Sequence, residues 1–373
     1  MFFVIYRNMV NFIDKDFLVR YLNSNSPTGY EVEGQKIWVD YITKYVDDIF
    51  LDCYGSAVGI INPEAEYKVV IEAHADEISW AVNYITREGY IYVARNGGSD
   101  FAITSSMRAL IHLDDGRKIP AVFGATPIHL KRSREDDKVP DITSTVLDCG
   151  CESDEEVKNM GIHVGSIVTF DADVLELNGG KYIVARAADN RAGGIVIASV
   201  ARLLHENKDK IPFGLYVCNC VQEEVGLCGA SMIAHRVKPN LAIVTDVTHD
   251  TQSPFYNKVK NGDISCGQGP VLAYAPSVHH NLFNHIKNTA EKNNIKIQYD
   301  YCSGYSGTDT DSFAYSRKGI PSALISLPQK YMHTTVEMFK YDDINAVVDL
   351  MYKSLLGLSP DFEVQYFDVK RRE

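Results

Sequence analysis

Five short strings hold the side chains that could do chemistry in this sequence: His74-Ala75-Asp76-Glu77, Asp189-Asn190-Arg191, Gln222-Glu223-Glu224-Val225-Gly226, Asp246 and His333-Thr334-Thr335-Val336-Glu337. Each follows a short apolar run of strand character. Taken singly, a His after a strand is usually structural, an Asp there is a turn or cap residue, and Glu-Glu is a solvated face. Taken together those readings fail, because carboxylates converging on one crevice repel unless a cation neutralises them. Imidazole and carboxylate without thiolate suit Zn²⁺, Mn²⁺ or Co²⁺. Two His and three carboxylates exceed what one open catalytic ion uses, and they divide over two ions bridged by one carboxylate. Such a pair, roughly 3.5–4 Å apart, can activate a water and polarise a carbonyl. A further carboxylate must then take the water's proton and pass it to the leaving amine. Glu223-Glu224 offers that division, since neighbouring side chains of an extended segment diverge. Asp76, two residues beyond His74, can orient that imidazole from behind.

The elements that must position these groups alternate. The runs 67–73, 214–218, 241–245 and 323–327 have the length and β-branched character of buried strands. Helical stripes occupy 30–46 (Val32, Ile37, Tyr41, Ile42, Val46), 191–206 (Ile197, Ala201, Leu204), 278–293 (Leu282, Ile286, Ala290) and 342–356 (Ile344, Val348, Met351, Leu355), with Asp342 or Asp343 as a cap for the last. Alternation implies an α/β sheet flanked by helices, and sites in such sheets form beyond the carboxyl ends of strands. From 79 to 177 the pattern changes to short strands with turns at Arg87-Glu88-Gly89 and Asp114-Asp115-Gly116. That block is expected to be a small barrel-like domain inserted into a split α/β domain of residues 1–78 and 178–373. It carries no catalytic candidate.

The chain has 373 residues, 45% apolar and 23% charged, long enough to bury a large core without staples. Its net charge of −12 argues against nucleic acid or an anionic membrane as partner. No run approaches the length of a transmembrane helix. The apolar start MFFVIYRNMVNF lacks the features of a signal peptide. The eight Cys are expected to be reduced thiols in a cytoplasm; Cys149 with Cys151, and Cys218 with Cys220, are too close in sequence to pair comfortably.

The ordered set His74-x-Asp76, Asp189-Asn190-Arg191, Gln222-Glu223-Glu224-Val225-Gly226, Asp246 and His333, with Gly267-x-Gly269-Pro270 and Gly307-Thr308-Asp309, resembles the M42 family of dinuclear metallo-aminopeptidases. The resemblance spans nearly the whole chain. It implies a mixed sheet of the zinc-peptidase type with an inserted all-β domain used in assembly, often into dodecamers. It implies two divalent ions, Zn²⁺ or Co²⁺, with Mn²⁺ as a third choice. By position, Asp189 bridges the ions, His74 and Asp246 complete one, and Glu224 and His333 complete the other. Glu223 is then the general base and Asp76 the support of His74. The implied substrates are short peptides with a free amino terminus.

Two positions depart from the family pattern. Asn190 stands where the family commonly has Asp, which lowers the site's charge without removing a ligand. Cys228 stands where it often has Arg, which weakens any preference for acidic residues. The acidic string Thr308-Asp309-Thr310-Asp311-Ser312 fits either a preference for basic amino-terminal residues or a capped helix start. The competing readings are an M20-type amidase or carboxypeptidase with a helix-and-sheet lid, a metal-free glycosidase using Glu223, and a peptide-binding scaffold with an inactive site.

Overall fold

The computed structural model describes residues 11–131 and 138–367. Residues 1–10, most of the stretch read as not being a signal peptide, lie outside the described residues. The centre is a mixed sheet of eleven strands. Its main path runs Asp48–Leu51, Ala57–Ile61, Gly214–Cys220, Lys68–His74, Leu241–His249, Ser322–Lys330, Glu337–Lys340, Tyr182–Ala185 and Leu175–Leu177. Val271–Tyr274 and Gln298–Tyr301 branch from Ser322–Lys330.

The four strands read from apolar runs are the parallel heart of this sheet. Parallel strands covered on both faces need no polar alternation, which is why they read as continuous Val, Ile and Leu. Register brings their carboxyl ends level: His74 pairs with Cys220, and Glu72 with Val244. The helix Ala188–Asn207 packs on strands Lys68–His74 and Leu241–His249 and against Lys15–Asn23 and Tyr341–Leu356. Its approach requires glycine: a Cβ on Gly193 would lie 2.9 Å from the Cβ of Ala73. Close seating places the start of this helix over the sheet's carboxyl edge.

Neither Asp342 nor Asp343 caps the helix Tyr341–Leu356, contrary to expectation. Lys340 is the cap residue and gives no side-chain bond. Asp343 is buried and accepts the amides of Gly267 and Gly269, the latter at 3.0 Å, so it fastens the Gly267-x-Gly269 turn instead.

Strands Ser79–Ile85, Ile91–Asn96, Val146–Asp148, Lys118–Phe123, Arg108–His112 and Ile167–Phe170 close a separate six-stranded barrel. Both expected turns lie between paired strands, with Gly89 at φ +86° and Gly116 at φ +87°. Trp80, Phe101, Phe123 and Phe170 fill the barrel, with Trp80 and Phe101 ring centres 4.9 Å apart. Strand Leu175–Leu177, assigned by the sequence boundary to the insert, pairs instead with Tyr182–Ala185 in the main sheet. All eight Cys are free, with the Sγ atoms of Cys149 and Cys151 3.6 Å apart. Among the described residues no helix is long and apolar enough to cross a membrane.

Candidate metal centre

His74, Asp189, Glu223, Glu224, Asp246 and His333 line one crevice, and Asp76 stands behind His74. His74 ends its strand and is 2% exposed. Asp246 lies on the neighbouring strand Leu241–His249. Asp189 and Asn190 break the helical backbone at the start of Ala188–Asn207, so Asp189 turns toward the crevice rather than along the helix. Glu223 and Glu224 follow a turn after Gly214–Cys220 in which Gln222 has φ +58°. His333 follows Ser322–Lys330, with φ +60°.

Asp189 faces both imidazoles. Its Oδ1 is 3.2 Å from His74 Nε2, and its Oδ2 is 3.3 Å from His333 Nε2. Glu224 Oε1 stands 3.4 Å from His333 Nε2. Asp246 Oδ1 and Glu223 Oε2 stand 3.8 and 3.9 Å from His74 Nε2. The donors form two groups, His74–Glu223–Asp246 and Asp189–Glu224–His333, with the atoms of each within 4.8 Å of one another. Glu223 therefore lies as close to the first group as a ligand does.

The charges are poorly balanced without a cation. Burial pushes the Glu223 carboxyl up to about 10, against the pull of His74 and with the repulsion of Asp246. Burial likewise raises Glu224, and it raises Asp246 well above the carboxylate range. Asp189 and Glu224 draw His333 up to about 11. Asp189 itself is held low despite its burial, because His333 and His74 hydrogen-bond to it. Among the described residues, no Lys or Arg lines the cavity of about 650 Å³ over this cluster. A nitrogen–oxygen donor set with excess buried negative charge fits hard or borderline divalent cations.

Supporting contacts fix the donors. Asp76 does more than face His74 Nδ1, 3.4 Å away. It accepts the amides of Glu223 at 2.9 Å and Glu224 at 3.2 Å, and the Thr28 hydroxyl at 2.9 Å. Glu337 escaped the sequence reading as a site residue, although it ends the string that begins at His333. Fully buried, it accepts the amide of His333 at 2.7 Å and of Asp189 at 2.9 Å, clamping two donor segments together. Arg191 and Arg186 both pair with buried Glu77, directly after Asp76. Asn190 donates to the carbonyl of Thr245 at 2.8 Å and accepts the amide of Gly193 at 3.0 Å. The first of these bonds needs an amide, which an ionised Asp does not supply. Cys228 begins the helix Cys228–Val237 and is not among the cavity's lining residues.

The barrel block, which carries no catalytic candidate, supplies backbone to the site. The Gly98 carbonyl lies 3.3 Å from His333 Nδ1, and a Cβ on Gly98 would be 2.8 Å from that ring. A carbonyl behind a ligating imidazole fixes its tautomer. The sign of this in the sequence is the Gly97-Gly98 pair just after the strand Ile91–Asn96.

The family model for the M42 glutamyl aminopeptidases matches residues 55–350. A lysyl aminopeptidase of Pyrococcus furiosus is 28% identical over 351 residues, covering 93% of this chain and 98% of that protein. The aminopeptidase APDkam598 from the archaeon Desulfurococcus kamchatkensis superposes with a TM-score of 0.87 at 28% identity, over 95% of this chain and 99% of that one. The TET1 peptidase of Pyrococcus horikoshii, described as assembling into a tetrahedron or a large octahedral shell, superposes at 0.81 with 28% identity, over 92% and 99%. The matched family, the shared architecture over nearly the full chain and the paired donor groups lead to one assignment: the chain belongs to the M42 glutamyl aminopeptidase family and is an aminopeptidase, a hydrolase of peptide bonds.

Proposed function

We propose that the chain removes amino-terminal residues from short peptides with two divalent ions, Zn²⁺ or Co²⁺ in preference to Mn²⁺. His74 and Asp246 hold one, Glu224 and His333 the other, and Asp189 bridges them. The observation that carries this reading is Asp189, whose two oxygens face the two imidazoles at 3.2 and 3.3 Å. When bound, such a pair supplies an activated water and polarises the scissile carbonyl. Glu223 is the general base: its carboxylate, favoured once cations offset the surrounding charge, takes the water's proton and gives it to the leaving amine. Asp76 holds the Glu223 and Glu224 amides and so sets where both carboxylates point. The closed barrel differs from the helix-and-sheet lid of the M20-type alternative.

A free α-amino group is a cation at neutral pH, and carboxylates around the crevice can receive it. Acetylation removes that charge and adds bulk. Cleavage of one peptide, free and amino-acetylated at equal concentration, tests the reading. We expect kcat/KM for the acetylated form to fall below detection, and activity of the free form to vanish with a chelator. Comparable values for both peptides mean an endopeptidase or another amidase, and chelator-resistant cleavage means a metal-free hydrolase.

Glu337→Gln tests the clamp. One of its two oxygens becomes an NH₂ facing an amide donor, so one donor segment loses its anchor. Metal affinity by calorimetric titration should weaken by about 10–100-fold, the scale of lost supporting contacts at metal sites. Unaltered affinity would show that the clamp does not position ligands.

For assembly we propose a homo-oligomer, a dodecamer, whose contacts include the barrel. The shell described for the Pyrococcus horikoshii peptidase and the exposure of Tyr84, Tyr90 and Val122 on the barrel support this. Light scattering at micromolar concentration should give a mass near twelve chains, and a monomer removes the proposal. Eight free thiols suit a reducing cytoplasm as the place of action.

A further inference from the structure

The cavity over the paired imidazoles is also lined by two carboxylates outside the donor cluster, Asp300 and Asp311. We infer that the enzyme prefers peptides beginning with Lys or Arg, with Asp300 receiving the side-chain cation. This rests on the aminopeptidase reading above and adds the substrate class to it.

Beyond the donor cluster, the carboxylates lining the cavity are Asp300 and Asp311. Asp311 is committed to its own loop. Its Oδ1 accepts the amide of Ser306 at 3.1 Å, and its Oδ2 that of Gly307 at 3.0 Å. Asp300 is half-buried, on strand Gln298–Tyr301. Its Oδ1 accepts the amide of Tyr301 at 2.8 Å, and its Oδ2 accepts the Thr248 hydroxyl at 3.3 Å. An ionised carboxylate offers about four acceptor positions, so roughly two stay available.

The distances suit a long cationic side chain. Thr248 lies two residues beyond Asp246 on the same strand and therefore on the same face. At about 3.3 Å per residue, it is roughly 6.6 Å past that donor along the strand, and its hydroxyl reaches Asp300 by one hydrogen bond. With the scissile carbonyl held at the donor cluster, the ~6 Å four-carbon stem of Lys carries its ammonium toward Asp300. Leu227, Val247 and Met332 line the same cavity and can cover the methylenes. His249 also lines it; desolvation lowers its pKa against the pull of Asp189 and Asp300. A Glu side chain would meet two carboxylates here. An apolar one would cover Asp300 without pairing it, which takes water from a carboxylate and returns no partner.

The acidic string that pointed toward basic residues in the sequence is mostly structural. Thr308 caps the helix Asp309–Ala314 through the Thr310 amide, and Asp311 secures the preceding loop. The specificity carboxylate comes from a different strand.

The experiment measures kcat/KM of the metal-loaded protein on the amides of Lys, Arg, Leu, Glu and norleucine. Norleucine has the Lys stem without the cation. Lys and Arg are expected at least tenfold above norleucine and Leu, with Glu slowest. In Asp300→Asn the Lys-to-norleucine ratio should fall to within threefold of unity, and in Asp300→Glu it should stay above fivefold. A wild-type ratio near or below unity, or one that Asp300→Asn leaves intact, overturns the inference. Should Asp300→Asn not fold, the wild-type comparison of Lys with Nε-acetyl-lysine amide decides alone: equal rates overturn the inference, and a tenfold loss on acetylation supports it. If no free amide is cleaved, the aminopeptidase reading itself has failed. If the amides are cleaved without regard to side-chain charge, that reading stands and this one is lost.

Discussion

Glu223→Gln should retain both metal ions while kcat falls by at least about 10²-fold, the scale of a general-base contribution. Glu224→Gln should instead lose metal. The two residues are adjacent, yet they enter different donor groups. Glu224 Oε1 stands 3.4 Å from His333, whereas Glu223 Oε2 stands 3.9 Å from His74. Their separation begins at Gln222, whose positive φ turns the chain so that successive side chains part. Both amides are tied to Asp76, so neither carboxylate can swing freely into the other's place. Gln keeps the size and one acceptor oxygen of Glu but cannot take a proton, so the substitution separates binding from chemistry. Because Glu223 also lies within ligand reach of His74 and Asp246, metal content is the deciding measurement. Elemental analysis of both variants beside steady-state kinetics checks it. Metal lost from Glu223→Gln and kept in Glu224→Gln means the two roles are exchanged.

Stripping the metals should leave a chain whose stability falls as pH rises from about 6 to 9. Glu223 is lifted by burial from an ordinary 4.5 to about 10, and His333 is drawn from 6.5 to about 11 by Asp189 and Glu224. Both groups bind protons more tightly folded than unfolded. Stability from such groups is complete below the unfolded value and is lost as pH climbs through the folded one. That places the loss between 4.5 and 10 for Glu223 and between 6.5 and 11 for His333. Asp189 acts in the opposite sense, but its pKa lies below this window, so its contribution stays constant across it. Divalent ions displace these protons, and their stabilisation should therefore grow with pH. At a thousandfold excess of free ion over Kd the gain is about 4 kcal/mol, or roughly 5–10 °C in Tm. Scanning calorimetry at pH 6 and pH 8, with and without Zn²⁺, should show the larger shift at pH 8. A shift equal or larger at pH 6 contradicts proton displacement at this cluster.

The sequence by itself determined the parallel heart of the sheet, four of the helices around it, the barrel's turns and the identities of the converging donors; the helices Lys15–Asn23 and Cys228–Val237 it did not. Each of these is local: a run of β-branched residues, a helical stripe, a Gly after two charged residues, a polar residue just past a strand. The tertiary structure decided which donors meet and what holds them. Glu337 works through two backbone amides 148 and four residues away, and no spacing rule links such partners. Gly98 matters because the barrel leans on His333, a contact between units that periodicity cannot show. Asp343 looked like a helix cap, but a buried turn 74 to 76 residues away took its carboxylate. Leu175–Leu177 left the insert because an edge of the main sheet offered it a partner, and strand pairing is settled by neighbours rather than by composition. Asp300 reaches the site through a hydroxyl on another strand, while in the string 308–312 Thr308 caps its own helix and Asp311 holds the preceding loop. Residue type and short-range pattern specify elements and donor chemistry; the pairing of side chains distant in sequence follows from packing, which no local window contains.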